Sequence, residues 1–143
     1  MQAAVVAVCS AILVAGAGFH LYWGFGGRAG AGISLPQRED GSPAMKETAI
    51  GALAIGVILA LVLLLVLSFA GLIDVPVPRW LLKTAIIVWA IIFTLRALSW
   101  SRYFGLFKRV RNTRFARYDS LLYSPACLVL GLGLFCLAMA DAV

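Results

Sequence analysis

The sequence predicts an all-α integral membrane protein, a four-helix bundle in a single domain. Three observations carry that prediction. Of the 143 residues, 63% are hydrophobic and only 13% are charged, which is more apolar surface than a soluble domain of this size buries in one core, so lipid must cover the excess. Residues 3–23, 49–73, 80–100 and 121–140 are four long apolar stretches, each matching the roughly 20 helical residues that cross a hydrocarbon layer about 30 Å thick. The connections between them are too short to fold as a separate domain. The helices are expected at about 3–23, 44–73, 79–103 and 120–141.

The first span has the small residues of a signal peptide at Ala15, Gly16, Ala17 and Gly18, but no Lys or Arg precedes it. A secretory signal needs a positive leading region, so the span is expected to be retained. The connection over 24–42 is glycine-rich, and Gly24 to Ala29 only superficially resembles a dinucleotide fingerprint, which would follow a strand and open a helix. Ser42 before Pro43 offers an N-cap and a first-turn proline for the second helix. Small residues recur every four positions at Ala7, Ala11 and Ala15, and at Ala52, Gly56 and Ala60, which predicts close helix packing along those stripes. The run Asp74-Val75-Pro76-Val77-Pro78 reads as a tight turn, with Pro78 in the first turn of the third helix. Ser124-Pro125 either starts the fourth helix or kinks it. Cys9, Cys127 and Cys136 all lie in apolar spans without CxxC spacing and read as packing residues, although Cys9 and Cys136 fall toward the same membrane side and could pair.

If the spans alternate, the first and third connections share one side and carry nine basic residues, against only Arg79 and Lys83 opposite. The positive-inside rule then places those connections in the cytoplasm and both termini outside, in a multi-pass inner-membrane protein. The run from Arg102 to Arg117 interleaves six cations with Tyr103, Phe104, Phe107, Phe115 and Tyr118, as a nucleic-acid stacking groove would. Because it directly joins two spans, it is read as topological charge. Phe104, Phe107, Val110, Phe115 and Tyr118 can lie near one helical face at the headgroups while the cations meet anionic lipid, with no nucleic acid involved.

Ionisable groups inside spans are costly and therefore informative. Lys83 and Arg96 are thirteen residues apart, about 20 Å along a helix, so at least one sits below the surface. Lys83 beside Trp80 can snorkel, leaving Arg96 one to two turns inside the belt formed by Trp100 and Tyr103. Under this topology each helix brings a polar group to the cytoplasmic third: His20, Glu47, Arg96, and Asp119 with Tyr123. One reading is a structural clasp, with Arg96 paired to Asp119 or Glu47 and His20 bonded to a tyrosine. The other is a ligand pocket of His20, Trp23, Glu47, Arg96, Trp100, Asp119 and Tyr123, in which Arg96 holds an anionic head group and Trp89, Phe93 and Trp100 form the apolar wall. His20 has no second His or Cys at ligand spacing, so no metal or other cofactor is expected.

The ordered motifs His20-Leu21-Tyr22-Trp23 with Gly26-Gly27, Leu95-Arg96-Ala97 with Gly105-Leu106-Phe107-Lys108, and Thr113-Arg114-Phe115-Ala116 with Asp119 and Tyr123-Ser124-Pro125 resemble a widespread bacterial membrane family catalogued as domain of unknown function 3995. The resemblance covers nearly the whole chain. It implies a small four-span protein with its motif residues on the cytoplasmic side, and it implies no particular activity.

Three functions follow as expectations. The first is a non-catalytic bundle binding an amphipathic or anionic lipid-like ligand near the cytoplasmic leaflet. The second is a membrane enzyme acting on a lipid or isoprenoid, with His20, Glu47 or Asp119 as acid and base. The third is a subunit or inhibitor of a larger membrane complex, docking a protein partner on the Leu-rich second helix. Four spans leave little room for a pore, no chain of carboxylates crosses the bilayer, and disulfide exchange would need paired cysteines.

Overall fold

The computed structural model describes residues 2–46 and 48–140. Four helical stretches are long and apolar enough to cross a membrane. The first three are α1 (Gln2–Gly24), α3 (Ala49–Phe69) and α4 (Arg79–Ala97), with a one-turn helix α2 (Ala31–Ser34) in the first connection. The fourth is continuous but composite: α5 (Arg114–Tyr118), a π-helical turn (Asp119–Tyr123), then α6 (Ser124–Ala140). The chain is all-helical apart from its connections, and the single antiparallel bridge between Gln37 and Pro43 is the extent of β pairing among the described residues.

Four of the expected helix bounds are corrected, the fourth stretch being helical already from Arg114, six residues before the expected 120. The second helix starts at Ala49, not 44, because Ser42 is taken by a different partner: Asp40 Oδ1 accepts from the Ser42 amide at 2.9 Å and its hydroxyl at 2.6 Å. Thr48 caps the helix instead, its hydroxyl oxygen accepting from Gly51 N at 3.2 Å. That helix stops at Phe69, not 73, in a Schellman motif. Gly71 takes φ +73°, its amide donates to Ser68 O, and the Leu72 amide donates to Leu67 O. The third helix ends at Ala97, not 103, where the chain reverses through Gly105 at φ +94° so that Leu106 N reaches back to Ala97 O at 2.8 Å.

Pro125 lies in the first turn of α6 and neither starts the spanning stretch nor breaks it. Proline has no amide to give the preceding turn, and the π-helical step ahead of it accommodates that loss, with Ser124 N donating to Asp119 O.

The helices pack as two antiparallel hairpins. In the first, Gly24 faces Leu53, Leu21 faces Gly56 and Gly16 faces Leu59, so sequence numbers rise on α1 as they fall on α3. A methyl group at Gly56 would fall 2.8 Å from the Leu21 side chain, which is why glycine is needed there. In the second hairpin Gly131 of α6 lies directly against Thr94 and the Ala90 carbonyl of α4. The hairpins join where α1 meets α6, at Cys9 and Gly133, and where α3 meets α4. The core runs through Val6, Cys9 and Leu13, then Val62 and Val66, then Ile86 and Ala90, then Leu130 and Leu134.

The small-residue stripes are mostly misassigned by the sequence pattern. Ala7, Ala11, Ala15 and Ala60 face outward, Ala52 is half-buried, and Gly56 alone among them is buried in a helix contact. Outward positions such as Ile50, Ile55, Val57 and Leu61 are the apolar surface that lipid would cover. All three cysteines are free, with Cys9 buried and Cys136 exposed, so the Cys9–Cys136 pair is not formed.

Candidate functional site: a buried carboxylate between two cations

The π-helical turn places Asp119 inside the loop-bearing end of the bundle, where it is 0% exposed. Its two oxygens accept from four donors. Arg96 Nη2 reaches Oδ1 at 2.7 Å, while the Gly105 amide (2.9 Å), Lys108 Nζ (3.0 Å) and the Ser124 hydroxyl (3.1 Å) all reach Oδ2. Three of these donors crowd Oδ2 and one reaches Oδ1, so the carboxylate is held from both oxygens. Gly105 supplies its amide only because the backbone is left-handed there, and a side chain at that position would collide with the Ser99 carbonyl.

Lys108 is equally confined, at 1% exposure. Its ammonium donates to Gly105 O at 3.1 Å, Asp119 Oδ2 at 3.0 Å and Ser120 Oγ at 2.7 Å, one acceptor for each proton. Arg96 completes the cluster from α4. Its Nη1 lies 3.4 Å from Ser124 Oγ, its guanidinium carbon sits 4.9 Å over the Phe104 ring, and 29% of its side chain stays open. Among the described residues the cluster therefore holds one negative charge and two positive charges, with the surplus on the side of Arg96.

The expected Arg96–Asp119 pair is present. Glu47, the alternative partner, lies outside the described residues. His20 does not join the pair and bonds to no tyrosine. Its Nδ1 is 2.8 Å from Gly16 O one turn back, so that nitrogen must carry the proton, and its ring meets the edge of Trp23 at 5.4 Å. Trp23 Nε1 donates to Ala29 O at 2.7 Å, which pins the start of the first connection.

Tyr123 reaches across to that same connection, its hydroxyl donating to Ile33 O at 3.2 Å. Phe115 N adds a bond to Gln37 Oε1 at 3.1 Å, so α2 and its flanks are tied to the start of the fourth stretch. Trp100 is 73% exposed and stacks on Phe107 at 5.0 Å, while Trp89 and Phe93 pack on each other, with Phe93 in the core. The aromatic surface against Arg96 is thus Phe104, and the wall expected from Trp89, Phe93 and Trp100 is not what its guanidinium lies on.

The third connection departs from the expected surface helix. Val110 and Phe115 are buried, Phe107 and Tyr118 are exposed, and residues 98–113 are non-helical. Lys108 belongs to Asp119 and does not face lipid. Sequence reasoning counts it as one loop cation among six, and its only signal there is its place in the motif Gly105-Leu106-Phe107-Lys108. Gly105 and Ser124 stand in the same ordered motifs, and Ser120 carries no sequence signal. Among the described residues, no three of His, Cys, Asp and Glu gather as metal ligands would.

Two antiparallel hairpins of membrane-length helices, locked at one end by a buried ionic cluster, define a small multi-pass membrane bundle. A family model described as Protein of unknown function (DUF3995) matches residues 13–134, and the chain belongs to that family. The match takes in every residue of the Asp119 cluster. No curated protein matches the chain, and no solved structure does.

Proposed function

We propose that this protein is an inner-membrane bundle that binds an anionic, amphipathic ligand on the open side of Arg96. The carrying observation is the charge balance of the cluster among the described residues: one carboxylate between two cations, with Lys108 sealed and 29% of the Arg96 side chain open. A surplus charge near the hydrocarbon boundary is costly, and an anion brought to it by an amphiphile removes that cost. The guanidinium presents a planar donor fork suited to a phosphate or carboxylate, and the Phe104 ring offers apolar contact beside it. The nine basic residues of the first and third connections support a cytoplasmic position for this end, with both termini outside.

Native mass spectrometry with lipid extraction tests the reading on wild type and Arg96→Ala. The variant keeps the neutral Lys108–Asp119 pair, so it is expected to fold. It should lose a co-purifying anionic amphiphile that the wild type retains; identical bound material in both would contradict the proposal. A second reading, that the cluster is purely a structural clasp, is favoured by the bonds that hold Asp119 from both oxygens and occupy Lys108. It predicts an empty wild type and an Arg96→Ala protein whose only change is a lower melting temperature.

A further inference from the structure

Three arginines outside the Asp119 cluster share one groove. Arg111, Arg114 and Arg117 line it with Asn112 and Thr113, and Tyr118 and Leu121 complete the lining. Along α5 and into the following turn, positions 114, 117, 118 and 121 recur at helical spacing on one side, so the lining passes from cations to an aromatic ring and then to a leucine that is 75% exposed. That order runs toward the spanning segment, as the head and tail of a lipid would. Arg111 is held in place by its Nε donating to Lys108 O at 3.1 Å, which fixes one wall to the buried cluster.

The groove has no internal counter-charge. Asp119, the nearest carboxylate in sequence, is fully engaged by Arg96 and Lys108, and among the described residues none of the three arginines forms an ion pair. Topological charge accounts for cations in this connection, but it does not require three of them at a three-residue repeat around one concavity. Arginine suits the ligand better than lysine would, because each planar fork can give two parallel hydrogen bonds to phosphate oxygens.

We propose that this groove is a site for the phosphomonoester head group of a membrane lipid. A monoester carries up to two negative charges and three terminal oxygens, which matches three guanidinium groups. A diester head group carries one charge and two free oxygens. Tyr118 and Leu121 take the apolar portion next to the head. The site shares no residue with the Arg96 reading and does not rest on it.

The test uses the full chain in phosphatidylcholine nanodiscs doped with either phosphatidic acid, a monoester, or phosphatidylglycerol, a diester, with retained lipid read by native mass spectrometry. The wild type should retain phosphatidic acid over phosphatidylglycerol by about tenfold. Arg114→Gln/Arg117→Gln should abolish that preference, and Arg114→Lys/Arg117→Lys, which keeps the charge without the forks, should weaken it. Arg96→Ala should leave it intact, separating this site from the earlier one. Equal retention of the two lipids by the wild type, or a preference unchanged in the glutamine pair, would overturn the proposal. Displacement of the lipid by millimolar inorganic phosphate would overturn its lipid assignment in favour of a soluble phosphate.

Discussion

Asp119 keeps a full negative charge away from solvent by accepting from Arg96, Lys108, Gly105 and Ser124, and these bonds tie α4, the third connection and α6 into one end plate. Removing the charge while leaving both cations is therefore the most damaging small change available. Asp119→Asn is expected to cost about 3–5 kcal/mol, seen as a large drop in thermal stability in detergent. Lys108→Met leaves the Arg96–Asp119 pair neutral and should cost less. The double variant should cost less than the two singles added together, since the unpaired Lys108 is the main penalty of the first; strict additivity would mean the two groups do not interact. The Arg96–Asp119 pair was legible because an intramembrane arginine needs a carboxylate and few exist. Lys108 was not, because nothing in a basic loop distinguishes a cation that turns inward from five that do not. The partner of His20 Nδ1 is a carbonyl of its own helix, Gly16 O, and not the expected tyrosine.

The middles of the spanning helices follow directly from apolar length, and their ends do not. The α3 terminus depends on Gly71, which can adopt φ +73° and so let Leu72 N close on Leu67 O. Apolar residues continue past it, and hydropathy alone therefore runs the helix too far. Gly71→Ala should cost about 1 kcal/mol through left-handed strain, measurable as a modest melting shift. Packing faces were equally hard to read. Ala7, Ala11 and Ala15 face outward while Val6, Cys9 and Leu13 make the core, so four-residue spacing of small residues does not by itself mark the packing face. Gly56→Leu should accordingly separate α1 from α3 and destabilise the bundle strongly. Ala60→Leu, one turn along and exposed, should leave the melting temperature nearly unchanged. Similar effects at both positions would contradict the observed packing.

At the scale of the molecule, two hairpins are fastened at the loop-bearing end by the Asp119 cluster and by the bonds from Tyr123 and Phe115 to the first connection. At the opposite end, beside the turn between α3 and α4, Arg79 Nη1 donates to Phe69 O at 2.6 Å. Among the described residues the Asp119 cluster lies at the loop-bearing end, the end we propose to be cytoplasmic. In a cysteine-free background, Cys introduced at Asp74 should react with a membrane-impermeant thiol reagent in intact cells, and Cys at Ser42 should react only after lysis; the reverse pattern would invert the topology. The presence of four spans and the Arg96–Asp119 contact could be read from the sequence, whereas the docking of the first connection depends on tertiary bonds such as Tyr123 to Ile33 O that no local pattern encodes. We propose that the surplus positive charge of the cluster is answered by a bound anion. A cryo-electron microscopy map of the protein in native-lipid nanodiscs, at a resolution that shows head groups, decides it. An anionic head group is expected against the open side of Arg96 beside Phe104, with Lys108 still bonded to Asp119. An ordered view of that side covered by water alone would contradict it.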